Sequence, residues 1–157
     1  MYSPTQWMEM AIALAQEAVI SNHGGPFGCI IVQNGQIIGK GHNQVLLLQD
    51  PTAHAEIVAI RDACRNVGSF ELHNCEMYTS CEPCPMCLGA IYWARLKVVY
   101  YANTRAQAAL IGFDDEYIYK EIEYENHLRT IPFIQILPPK AMLPFQLWSQ
   151  KEDKQLY

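Results

Sequence analysis

"EMYTSCEPCPMCLGAIYWARLKVVYYAN", residues 76–103, decides the fold class. Its two ends, "EMYTS" and "KVVYYAN", are rich in the aromatic and β-branched residues that suit strands. The piece between them, "CPMCLGAIYWAR", reads as a nearly all-apolar helix. Apolar strands with nearly all-apolar helices between them imply a sheet covered on both faces.

The rest of the chain fits around that unit. Upstream, "CIIV" and "QIIGKGHN" meet across Asn34-Gly35, the dipeptide that a tight β-hairpin turn prefers. "DPTAHAEIVAIRDACRNVG" (50–68) reads as a helix with Asp50 or Thr52 near its start and Gly68 as its stop. At the front, Ser3-Pro4 with Gln6 forms a capping-box pattern, and Trp7, Met10, Ala11, Leu14, Ala15 and Ala18 recur on one helical face before "NHGGPFG" (22–28) breaks the helix. A further helix is expected from about Arg105. The order ββαβαβα gives an α/β protein, a three-layer α/β/α sandwich. Beyond it, "TIPFIQIL" (130–137) has the make-up of a strand and "PFQLWSQKEDKQLY" (144–157) that of a helix laid over another surface. With no repeat, low-complexity stretch or linker, residues 1–157 read as one domain.

Charge and cysteine content narrow the function classes. Eleven Lys+Arg against sixteen Asp+Glu leave a net charge of -5, whereas a protein gripping a phosphate backbone carries a basic face, so nucleic acid is an unexpected partner. The opening "MYSPTQWMEMAIALAQEAV" lacks a positive n-region, and Glu9 and Glu17 interrupt its apolar run, so neither secretion nor a membrane span is expected and the chain reads as cytoplasmic. In that setting six cysteines point away from disulfides. Cys29, Cys64 and Cys75 read as small buried hydrophobes and Cys81 as a packing residue beside the Cys84/Cys87 pair; His23, His42, His73 and His127 belong to no pattern and default to surface or structural roles.

Two short words carry the chemistry: "HAE" at 54–56 and "PCPMC" at 83–87. Zinc takes imidazole nitrogen and thiolate sulfur tetrahedrally, and a catalytic site uses three protein ligands and leaves the fourth position to water. His54, Cys84 and Cys87 make that count. Cys84 and Cys87, three apart near a helix start with Pro83 just before them, meet the free N–H groups and dipole that stabilise thiolates. Glu56 is then suited to moving protons. A purely structural zinc site would instead need a fourth protein ligand, for which Cys81 is the nearby candidate, and the protein would then be a zinc-stabilised binding module.

Together the two words match the zinc deaminase signature H-x-E followed by P-C-x-x-C. With "GGPFG", "DPTAHAE", "YTSCEPCPMCLGAIYWAR", "GFDDEYIYKEI" and the closing "PFQLWSQKEDKQLY", the chain resembles, over nearly its whole length, the bacterial guanine deaminases of the cytidine-deaminase-like superfamily. The resemblance implies a central mixed sheet, Zn2+ on His54, Cys84 and Cys87, Glu56 as proton shuttle, and hydrolysis of guanine by water to xanthine and ammonia. It implies base contacts from Asn43, Trp93 and Asp115, with Asp114 the alternative to Asp115 by one register. It further implies a homodimer in which segment 145–157 crosses between subunits as a lid and brings Tyr157 over the neighbour's site; a terminal helix packed on its own subunit is the other arrangement. A carboxylate acceptor rewards guanine's N–H edge, which adenine lacks at N1. Phe27 and Trp93 are apolar walls for a flat base or ordinary packing residues. The rival within the superfamily is a tRNA adenosine deaminase; the net charge and the alternation of Lys151 and Lys154 with Glu152 and Asp153 disfavour an RNA loop as substrate.

Overall fold

Ser3 opens the first helix as its sequence asks. In the computed structural model, which describes residues 2–157, the Ser3 side chain accepts from the Gln6 amide while the Gln6 side chain accepts from the Ser3 amide, and α1 runs Pro4–Ile20. Strands β1 (Gly28–Gln33) and β2 (Gln36–His42) follow as an antiparallel hairpin. Asn34 and Gly35 at its tip have φ of 51° and 74°, the paired positive values of a type I′ turn, which asparagine and glycine tolerate best.

A single turn, α2 (Val45–Leu48), leads to α3 (Ala55–Val67). The start of α3 corrects the expectation of a cap at Asp50 or Thr52. Asp50 closes a local turn by accepting from the Thr52 amide at 2.8 Å and hydroxyl at 2.7 Å, and His54 takes the N-cap position. Gly68 ends α3 in the left-handed conformation, as expected. Strand β3 (Glu76–Cys81), α4 (Pro85–Trp93), β4 (Val98–Asn103) and α5 (Arg105–Leu110) complete the series. The proline in the first turn of α4 is Pro85, with Cys84 at the N-cap.

The sheet has the order β2-β1-β3-β4, with β1 antiparallel to both neighbours and β3 parallel to β4, so it is mixed. Alternation along the strands divides the core. Cys29, Ile31 and Met77 pack with Ala55, Ala59, Ala63, Ile91 and Ala94 of α3 and α4 and the residue that follows α4. Ile30, Val32 and Tyr78 face the other way, against Trp7 and Ala11 of α1. Burial of each large apolar side chain contributes about 1.5–3 kcal/mol, and the two faces together make the expected three layers.

The layer of α3 lies unusually close to β2. A Cβ at Gly41 would sit 2.6 Å from the Ala55 carbonyl oxygen and 2.7 Å from the Ala59 nitrogen; one at Gly39 would meet the Ala59 oxygen at 2.5 Å. Glycine on the strand and alanine on the helix let backbone approach backbone. This seam fixes the height of the helix that begins at His54.

The chain divides into two compact units, one ending at Asp115 and one of Glu116–Tyr157. The second contains α6 (Glu116–Glu123), a 3₁₀ turn at Asn126–Leu128 and α7 (Leu143–Gln150). Glu121 organises it, accepting from the Thr130 amide and hydroxyl at 2.8 and 2.9 Å while its carbonyl takes the Arg129 Nε at 3.0 Å. Residues 130–137 do not form the expected strand. Pro132 brings no N–H to a ladder, and Ile131, Phe133, Ile134, Ile136 and Leu137 are all more than half exposed, so the apolar make-up of this stretch is not spent on the chain's own core.

Candidate active site

Two helix starts meet at one point. His54 and Cys84 are the N-caps of α3 and α4, both with extended backbone and neither using its side chain to cap. Serine or aspartate there would fold back onto the first helical amides; histidine and cysteine turn toward each other instead. Nδ1 of His54 lies 3.4 Å from Sγ of Cys84 and 3.6 Å from Sγ of Cys87. The donor atoms of His54, Cys84 and Cys87 all lie within 4.8 Å of one another, the one such three-donor group among the described residues. Ligand atoms at about 2.05 Å for nitrogen and about 2.3 Å for sulfur in a tetrahedron are held about 3.5 Å apart. The set therefore fits zinc in chemistry and in spacing.

The two thiols are held unequally. The contact with Cys87, and a second with His54, holds Cys84 down to about 4. The same contact, together with burial, pushes Cys87 up. Cys84 in turn raises His54 through their hydrogen bond. A dication held by the two sulfurs would need both as thiolates, which would make its ligation proton-releasing.

Glu56 is the second residue of α3 and is 6% exposed. Its Oε1 accepts from the Thr79 hydroxyl at 3.1 Å and its Oε2 from the Cys87 thiol at 3.4 Å. Burial raises this carboxyl. The sequence carried no sign of Thr79 beyond a polar side chain on β3. Cys81, at the end of β3, is pushed up to about 11 by burial and donates to the Thr104 carbonyl at 3.8 Å, so it stays a thiol outside the three-donor group.

Asn43 is buried, its amide oxygen accepting from the Val45 amide at 3.1 Å and its backbone N–H bonded to Phe27. Phe27 and Phe113 pack edge to face at 4.9 Å. Asp115 is raised by burial and feels the charge of Cys84, with the Arg105 guanidinium drawing it back from 3.9 Å. Arg105 also bonds Glu82 through its amide at 3.0 Å, a bridge that no motif announced. Trp93 is elsewhere: at the end of α4, 66% exposed, lining an open surface groove with Pro85, Leu88, Tyr92 and Arg95. Tyr157 belongs to the second unit and is 71% exposed.

Residues 1–103, which contain both ligand words, match the cytidine and deoxycytidylate deaminase zinc-binding region. The chain belongs to this deaminase family. It is 52% identical to the guanine deaminase of Bacillus subtilis (strain 168) over 96% of its own length and 97% of that protein's. Its fold matches the X-ray structure of guanine deaminase from Bacillus subtilis with a TM-score of 0.97 at 50% identity, over 99% of each chain. A tRNA-specific adenosine deaminase of Aquifex aeolicus (strain VF5) is 48% identical over a shorter reach, 55% of this chain and 58% of that one. Among the described residues no helix of this deaminase is long and apolar enough to cross a membrane.

Proposed function

We propose that this deaminase hydrolyses guanine to xanthine and ammonia. The observation that carries the proposal is the reach of the similarity. Likeness to a guanine deaminase runs through 96% of the chain, whereas likeness to a tRNA-specific adenosine deaminase covers 55%.

His54, Cys84 and Cys87 would hold the zinc, which when bound lowers the pKa of a water molecule to about 7. Glu56 takes a proton from the attacking water and passes it to the ring nitrogen beside C2; it then takes the second proton from the new C2 hydroxyl and gives it to the departing amine, leaving the carbonyl of xanthine. Thr79 keeps its carboxylate aimed throughout. Asp115 accepts from the N–H groups of the base, Asn43 donates to its carbonyl edge, and Trp93 and Tyr157 supply aromatic contact. Because Trp93 and Tyr157 are both largely exposed in the single chain, their contacts belong to an assembled site. A homodimer that exchanges segment 145–157 as a lid accounts for a second unit in which no residue is buried although Phe145, Leu147, Trp148 and Leu156 are apolar. A small purine base, water and a cytoplasmic setting complete the reading.

The test is ammonia release from zinc-loaded protein offered guanine, adenine, cytosine, their nucleosides, an amino-triazine and an adenosine-containing RNA loop. Guanine should lead the panel. Preference for the RNA loop would transfer the protein to the tRNA class, and release from none with zinc tightly bound would leave a zinc-stabilised binding module.

A further inference from the structure

His23 and His42 are joined in a way that neither the metal centre nor the proposed chemistry uses. Nδ1 of His23 lies 2.8 Å from Nε2 of His42. The ring planes are 17° apart and the centroids 5.1 Å, so the rings lie edge to edge with an N–H···N bond in their common plane. Each ring belongs to a segment that holds Asn43. His42 is its chain neighbour at the end of β2. His23 lies in the loop after α1, and its carbonyl accepts from the Leu46 and Leu47 amides at 3.0 Å each, just past the Val45 amide that orients the Asn43 side chain. Gly24, the next residue, lies so near that a Cβ there would fall 1.9 Å from the Asn43 Oδ1.

The bond needs one proton between two nitrogens. With both rings neutral one donates and the other accepts; one added proton leaves the bond charged and intact. A second puts N–H against N–H at 2.8 Å and breaks it. We propose that His23 and His42, joined through a single shared proton, are positioning residues that clamp the loop after α1 to the end of β2, with the His23 carbonyl holding the start of α2, and thereby hold the Asn43 amide for base recognition. The proposal rests on the reading of Asn43 as a base contact.

Burial lowers His42 from the ordinary imidazole value of 6.5, Glu17 on α1 opposes that, and His23 adds to the lowering. A lowered imidazole stabilises the fold above its unfolded value and loses that contribution as pH falls. The clamp is therefore closed at neutral pH and opens on the acid side of 6.5.

The experiment compares wild type, His42→Phe, His42→Gln and Asn43→Ala as zinc-loaded protein. It measures hydrogen exchange at the Val45 amide and the guanine KM and kcat between pH 5 and 8. His42→Phe should speed Val45 exchange and raise KM about five- to tenfold with little change in kcat, the loss of one neutral hydrogen bond. His42→Gln, which can donate or accept but does not titrate, should match wild type at pH 7.5 and lack its acid-side rise in KM. Wild-type exchange and KM in His42→Phe overturn the clamp, as does an acid-side rise shared by His42→Gln. Should His42→Phe fail to fold, His23→Phe breaks the same bond from the loop and is read in the same way. If Asn43→Ala keeps the wild-type KM while His42→Phe still frees Val45, the clamp stands and the base contact is what fails.

Discussion

Replacing Glu56 by glutamine separates catalysis from architecture. The side chain is 6% exposed, with Thr79 on one oxygen and Cys87 on the other. Glutamine has the same shape; its carbonyl oxygen can keep the Thr79 bond, and its amide can donate to the sulfur of Cys87. The fold and zinc content should therefore survive. Catalysis should not, because an amide neither takes nor delivers a proton: the loss is about 10²- to 10⁴-fold in turnover, or about 2.7–5.5 kcal/mol of barrier. Stability should move the other way. A carboxyl raised by burial binds its proton more tightly folded than unfolded, so its contribution is present below the unfolded value of 4.5 and is lost as pH rises through the folded value. The metal-free variant should thus match wild type in acid and gain on it as pH rises to 7. Ammonia release, zinc content and urea unfolding at several pH values report the three quantities. Wild-type turnover refutes the proton shuttle, and loss of zinc shows that the carboxylate is a ligand.

Cys84→Ala or Cys87→Ala should lose zinc, since two protein ligands rarely hold it in an open site; full occupancy in either by elemental analysis would put the metal elsewhere. Asp115→Asn should raise the guanine KM far more than it lowers the melting temperature, because an amide offers N–H where the base already does. A silent Asp115→Asn beside a crippled Asp114→Asn would move the contact by one residue. A chain carrying Glu56→Gln and a chain truncated before Gln146 should each be nearly inactive alone and recover activity on subunit exchange, since one site of the mixed dimer has both an intact Glu56 and a donated tail. Confirmed exchange with no recovery refutes the crossing lid.

The three-donor group was legible because its residues come in two short words, each at the start of a helix, and the class of sheet because the helix between β3 and β4 has hardly a polar face. It misplaced the start of α3 because Asp50 and Thr52 have the chemistry of helix caps and are used on each other, while the true cap, His54, does no capping. Contacts made across the fold left no local mark. Thr79 reaches Glu56 over 23 residues of chain and His23 reaches His42 over 19, and no periodicity encodes such meetings. The run at 130–137 misled for another reason. Its residues are apolar as a strand's are, but the surface they suit is not in their own unit's interior.

The glycine and alanine seam between β2 and α3 has a consequence for how this enzyme can diversify. Val, Ser or even Ala at Gly39 or Gly41 would lift the helix bearing the proton carrier by more than the centre tolerates, so that half of the machinery is closed to gradual change. The second unit, with no interior of its own, carries no such restriction. Selection for a different amino-heterocycle should therefore leave Gly39 and Gly41 untouched and act on residues outside the seam: the packed helix is inherited as a fixed block, and the choice of molecule is the part open to revision.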